Sequence, residues 1–230
     1  MRGGRRAAAT LAWVAAFSVA FAFVEASVVI YLRALYYPEG FAFPLKVIPA
    51  GYLRVEIARE AATIVMLAAL GVIAGWRPWE KFGFFLFAFG LWDIAFYAWL
   101  LGTIGWPVSL FDWDVLFLIP LPWIAPVIAP LAISLLMTVC GALAVLRSAG
   151  ERHFHPGALS WALGLVGTSL ILYSFVADTG AGLRGTVPAP YQYGLLVAGL
   201  IAFIAAFAVA CRPPRAVPGG ADGSRTFAPD

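Results

Sequence analysis

The sequence predicts an all-α integral membrane protein, a bundle of about six transmembrane helices with both termini in the cytoplasm, and three observations carry that expectation. Hydrophobic residues make up 63% of the 230, charged residues only 12%, and the mean hydropathy is +0.90, whereas soluble domains carry about a quarter charged residues. The apolar residues fall into six blocks, each long enough as a helix to cross about 30 Å of hydrocarbon. The basic residues divide unevenly between alternate connections, as the positive-inside rule requires.

The six blocks run approximately over 8–32, 54–75, 83–101, 123–146, 158–177 and 191–211. They make residues 1–211 a single polytopic domain. Residues 212–230, rich in Pro, Gly, Ala and Ser with scattered arginine, read as a disordered cytoplasmic tail. The first block follows a basic start and contains Val24-Glu25-Ala26, which loosely imitates a signal-peptide cleavage site. The apolar stretch is too long for a signal peptide and continues past that site, so it is expected to remain as a span.

With the N-terminus inside, ten basic residues fall on the cytoplasmic side: Arg2, Arg5, Arg6, Arg77, Lys81, Arg147, Arg152, Arg212, Arg215 and Arg225. Four fall outside, namely Arg33, Lys46, Arg54 and Arg184, and Arg59 lies within the second span. The connection around Tyr36-Tyr37-Pro38 and Phe41 is aromatic and broken by Pro and Gly, so it is expected along the outer interface. The connection 102–122 has the same character, contains no Lys or Arg, and is expected to form an interfacial or re-entrant turn.

Composition also narrows function. A net charge of +3 arises from topology, because no basic run is interleaved with exposed aromatics as nucleic-acid binding requires. Cys140 and Cys211 sit in or at the end of apolar blocks without C-x-x-C spacing, so no structural disulfide is expected. The two histidines, His153 and His155, share one short polar loop. Haem, zinc and histidine-ligated di-iron centres within the spans therefore lack their usual ligands, and neither a metal nor a cofactor is expected.

Charged groups in hydrocarbon are costly unless paired, neutralised or reached by water, so their positions carry the functional information. Glu25 lies eight residues before Arg33 on the first helix, about 12 Å below its outer end. Glu56, Arg59, Glu60 and Thr63 share one stripe of the second helix. Arg59 is placed to bridge Glu56, leaving Glu60 for water, a proton or a basic group on another helix. Asp93 falls near the middle of the third span, one turn from Tyr97, which is a hydrogen-bond donor to it. Asp112 and Asp114 occupy the second outer loop, and Asp178 the outer end of the fifth span. The competing expectation is a set of structural ion pairs in which Glu25, Arg33, Arg54, Glu56 and Arg59 close on one another near the headgroups.

The aromatic residues of the third span surround the helix, so core and lipid contact account for most of them; a quinone, carotenoid or lipid tail against Phe89, Trp92 and Phe96 is the alternative. Ser160, Gly164 and Thr168, and Ala202 with Ala206, recur every fourth residue and are expected to serve close helix packing.

Together these positions predict a water-accessible, mixed-charge pocket open to the outer face and walled by the first three helices. The residues expected to bind ligand or exchange protons there are Glu25, Arg33, Glu56, Arg59, Glu60, Asp93, Tyr97 and Asp114. A ligand-binding or transport protein is the leading expectation. One alternative is a membrane-embedded enzyme acting on a lipid or isoprenoid through a carboxylate acid–base pair, although no nucleophile motif is present. Another is an accessory subunit of a larger membrane complex. Membrane lipids are the expected partners, with a homo-oligomer or a larger assembly, and the expected location is a cell membrane, taken as a bacterial inner membrane.

Overall fold

The computed structural model describes residues 2–41, 43, 45–46, 49–150, 154–177, 179–180 and 190–212. His153, Asp178 and all of the expected tail beyond Arg212 lie outside the described residues. Six helices are long and apolar enough to cross a membrane: α1 (Arg2–Tyr36), α2 (Ala50–Ala74), α3 (Pro78–Ile104), α4 (Ile128–Ala149), α5 (Ala158–Val176) and α6 (Tyr193–Ala210). Only 22% to 39% of each apolar window is buried within the fold, so most of each helix surface needs an apolar solvent. This is the architecture of a multi-pass helical membrane protein.

Local sequence sets the helix ends. α2 stops at Gly75, and Pro78 opens α3 at a position where its missing N–H costs nothing. Between them Glu80 accepts the backbone N–H groups of Trp76 (3.0 Å) and Arg77 (3.3 Å). At its other end α3 closes on Gly105 in the left-handed conformation (φ 66°), ahead of Trp106-Pro107.

α3 is the central post. It packs along α1, α2 and α4, whereas α1 and α2 scarcely touch each other. Ala22, Leu67, Phe84, Ala88 and Trp92 form the core of this group. A second core joins α5 and α6 to Ala125 and Ala129. The α3–α4 contact is close because glycine faces backbone: a Cβ on Gly90 would stand 2.3 Å from the Ser134 carbonyl oxygen, and one on Gly141 would stand 2.5 Å from the Phe87 nitrogen. Between α5 and α6 the close approach is made by Gly167 and Gly199, each facing the other's carbonyl oxygen. The expected positions Gly164 and Thr168 do not make it, since Gly164 faces open space and Thr168 is exposed. Ser160 does cross the interface, donating to the Ala206 carbonyl at 2.7 Å.

The largest departure from an all-helical expectation is a β-hairpin between α3 and α4. Strand β1 (Trp113–Phe117) pairs antiparallel with β2 (Trp123–Pro126), Asp114 opposite Ala125 and Val115 opposite Ile124, with a bulge before the Phe117–Trp123 pair. The fourth apolar block therefore begins as strand, and its helix starts at Ile128 rather than at residue 123. Residue type does not separate the two, because Trp123-Ile-Ala-Pro126 carries no charged or hydrogen-bonding aliphatic side chain and runs straight into the apolar helix. The hairpin enters the bundle. Phe117 lies 6.3 Å from the ring of Phe89, which is fifteen residues before Ile104 and so roughly 22 Å along α3 from its end. Ile124 and Ala125 are fully buried.

Replacing Gly141 or Gly90 with leucine is expected to cost about 3 kcal/mol or to prevent folding, because backbone would have to separate along the α3–α4 contact. Gly164→Leu, which meets open space, is expected to stay within about 0.5 kcal/mol of the parent. Thermal unfolding in detergent compares the three.

Candidate functional site

Helical spacing aligns the polar residues of the first three helices. Glu25, Val29, Leu32 and Arg33 form one stripe of α1; Glu56, Arg59, Glu60 and Thr63 form one on α2; and Trp92, Asp93, Phe96 and Tyr97 form one on α3. These three stripes and β1 of the hairpin surround a cavity of about 180 Å³, which Tyr37, Phe41 and Lys46 approach from the α1–α2 connection. All eight residues singled out in the sequence line it. It is lodged in the same half of the bundle as the hairpin.

Two polar networks hold the walls. In the first, Arg33 donates from Nη2 to Asp114 Oδ1 at 3.0 Å, and the Tyr97 hydroxyl donates to Asp114 Oδ2 at 3.1 Å. The Arg33 guanidinium lies 3.7 Å from the ring centre of Trp106 and 4.4 Å from that of Phe41, a stacked geometry that favours arginine over lysine. Asp114 is only 4% exposed. Tyr97 thus serves Asp114 and not Asp93, because the hairpin delivers a carboxylate from a distant part of the chain to a hydroxyl that local spacing assigns to α3.

In the second network Arg59 bridges two helices. It pairs with Glu25 on α1 and with Glu56 one turn earlier on its own helix. The Thr63 hydroxyl donates to the other Glu25 oxygen at 2.6 Å. The expected Arg59–Glu56 bridge is present, but Arg59 also neutralises Glu25. Arg54, the remaining member of the expected ion-pair cluster, is exposed and stands apart from it.

Glu60 and Asp93 differ from the other acids. Glu60 is 6% exposed and accepts the Leu118 backbone N–H at 2.8 Å; Asp93 accepts the Ser134 hydroxyl of α4 at 2.7 Å. Among the described residues neither has a basic side chain within ion-pair distance. Sequence reasoning missed both partners. Leu118 presents only a backbone group, which no residue-type pattern reveals, and Ser134 is a lone hydroxyl in an apolar helix.

Two buried nitrogens on residues of this lining, Nη1 of Arg33 and the indole nitrogen of Trp92, have no hydrogen-bond partner. The face of Phe89 and Trp92 that was open to a hydrophobic cofactor is covered by Phe117. Among the described residues no three His, Cys, Asp or Glu side chains converge in a way that would hold a metal ion. Cys140 and Cys211 are free thiols.

No protein-family model matches this chain, and neither a curated protein nor a solved structure resembles it significantly. The fold and the cavity therefore define its class by themselves: a multi-pass helical membrane protein with a charged cavity inside the half of the bundle that holds the hairpin.

Removing Arg33 leaves the buried Asp114 with the Tyr97 hydroxyl but without its cation, so Arg33→Met is expected to cost about 3 to 5 kcal/mol. Arg33→Lys keeps the charge but loses the planar stack on Trp106 and is expected to fall between, at about 1 to 2 kcal/mol. Unfolding midpoints in detergent should follow that order.

Proposed function

We propose that this chain is a cell-membrane protein, with both termini in the cytoplasm, whose cavity opens to the outer face and binds a small organic ammonium compound, as a receptor for it or as part of its transport. Charge supports the orientation. Arg5, Arg6, Arg77, Lys81, Arg147 and Arg212 sit at the end of the bundle that carries the termini, against Arg33, Lys46 and Arg54 at the other. A bacterial inner membrane suits that pattern.

The observation that carries the ligand assignment is the charge balance of the cavity. Five carboxyls line it (Glu25, Glu56, Glu60, Asp93 and Asp114) against three cations (Arg33, Lys46 and Arg59). Arg59 is shared by Glu25 and Glu56, Arg33 pairs with Asp114, and Lys46 stands over the Tyr37 ring; Glu60 and Asp93 are, among the described residues, the lining acids without a basic group at ion-pair distance, and their hydrogen-bond partners are neutral. Uncompensated negative charge in a low-dielectric interior calls for a proton or a cation. The rings of Trp92, Phe96 and Tyr97 line the same space, and aromatic faces bind quaternary or alkylated ammonium groups well.

A cavity of 180 Å³ has room for about six waters or one compact ligand. That size excludes a phospholipid headgroup with its chains. The acids that a carboxylate acid–base pair would need are the same ones that line this cavity, but a lipid or isoprenoid substrate does not fit its size; the accessory-subunit alternative leaves these interior acids without a role.

The test uses purified protein with tetramethylammonium, trimethylglycine and neopentyl alcohol, an uncharged compound of similar shape. The two ammonium compounds are expected to raise the melting temperature and neopentyl alcohol to leave it unchanged. Asp93→Asn and Glu60→Gln keep an acceptor for Ser134 and Leu118, so they are expected to fold while losing about 2 kcal/mol of binding, roughly thirtyfold. Equal stabilisation by neopentyl alcohol, or no loss in either variant, would refute the assignment.

A further inference from the structure

Because α1 and α2 both lean on α3 without packing on each other, the gap between them has two ends. The charged cavity occupies one. The other holds a larger concavity of about 880 Å³, walled by α1, α2, the α2–α3 turn, and parts of α3 and α4. Its charge pattern is the reverse of the first: Arg6 and Arg77 stand at its rim, and the single acid in its lining is Glu80. Glu80 is occupied by the backbone N–H groups of Trp76 and Arg77.

We propose that this groove binds one anionic phospholipid, with the phosphate on Arg6 and Arg77 and an acyl chain lying between α1 and α2. The rim is preset for an anion. The Arg6 guanidinium stacks 4.7 Å from the ring centre of Trp76, which orients it while leaving its N–H groups for a ligand. Arg77 spends one nitrogen on the Ser148 carbonyl, at 2.7 Å, and keeps the rest of its five-donor fork.

Below the arginines the lining turns apolar. Val14, Phe17, Leu70 and Ile73 form the walls, and the one hydroxyl there, on Thr10, is turned back on the Arg6 carbonyl at 3.0 Å. A free phosphate would use the rim and leave these walls bare, whereas a phospholipid uses both. The depth also matches. From Arg6 to Phe17 is eleven residues, roughly 16 Å along α1, close to the roughly 15 Å of one leaflet's hydrocarbon. The inner end is closed by Ala22 and Leu67, both fully buried. The side is open, with Trp13 78% and Ile73 80% exposed on its lips, so a chain can enter laterally from the bilayer. Anionic headgroups in basic pockets between transmembrane helices are held in this way. The site is independent of the ammonium cavity, sharing no lining residue with it.

Delipidated protein in detergent, titrated with phosphatidylglycerol or with phosphatidylcholine of the same chains and followed by native mass spectrometry, tests the assignment. Each arginine is expected to contribute about a fivefold factor, so the parent should prefer phosphatidylglycerol by roughly twenty-five-fold and the Arg6→Gln, Arg77→Gln double variant should show no preference. Because Arg77 also ties the α2–α3 turn to α4, Arg6→Gln alone provides a second reading, with an expected fivefold loss. Ala16→Trp, a change at an exposed lining position, should weaken both lipids by filling the groove. The proposal fails if the parent shows no preference, if the preference survives in the arginine variants, or if millimolar inorganic phosphate displaces the lipid completely. That last result would assign the rim to a free anion. Failure here leaves the ammonium assignment standing, since the two experiments read different residues.

Discussion

A β-hairpin lodged among apolar helices has to satisfy its own backbone, because an apolar surrounding offers no hydrogen bonds and an unmet N–H or C=O there costs several kcal/mol. Much of the charged chemistry in this bundle follows from that constraint. The strands satisfy each other over four residue pairs, but beyond the bulge the chain turns away and Leu118 has no strand partner. Glu60 meets its N–H from α2. At the root of the hairpin Asp112 accepts the N–H groups of Val108 and Ser109, and the Val127 N–H returns to the Asp112 carbonyl. Glu60 therefore reaches the interior as a backbone acceptor, and the acids that line the cavity bring charge that the surrounding helices have to meet. Arg33 does so for Asp114. Among the described residues no basic side chain lies within ion-pair distance of Glu60, which turns a structural requirement into a charged cavity.

The same hairpin explains why the cavity is small. Phe117 enters the ring cluster of Phe89, Trp92 and Phe96 and fills it. The space that remains lies between that aromatic floor and the polar stripes of α1 and α2. Its lining joins rings to uncompensated carboxyls, which is the chemistry an ammonium group requires.

Asymmetry about α3 has a second consequence. With α1 and α2 both packed on α3 but not on each other, one layer around Ala22, Leu67 and Ala88 divides the gap into two compartments. One is acidic and aromatic, the other basic and apolar. α4, α5 and α6 contribute little to either. Glycine contacts bring α4 onto α3 and α5 onto α6, so the carboxy-terminal half supplies the frame, and among the described residues Ser134 is its polar contact with a cavity acid.

The sequence by itself determined the solvent, the number of apolar spans and the half of the chain that carries the improbable charges, because hydropathy and the cost of charge in hydrocarbon are local properties of residues. It also grouped the polar side chains of each helix into stripes, since those follow from 3.6 residues per turn. The bridge from Arg59 to Glu56 was legible for that reason, being a contact one turn apart. The tertiary structure decided the pairings that cross between elements: Arg59 with Glu25, Tyr97 with Asp114 instead of Asp93, Asp93 with Ser134, and Glu60 with a backbone amide. It also turned the start of the fourth apolar block into a strand and moved the α5–α6 contact to Gly167 and Gly199. Each of these depends on the relative rotation and depth of packed elements, and in particular on a hairpin whose apolar sequence looks like the start of a helix. Residue type fixes what a side chain needs, and only packing decides which neighbour supplies it.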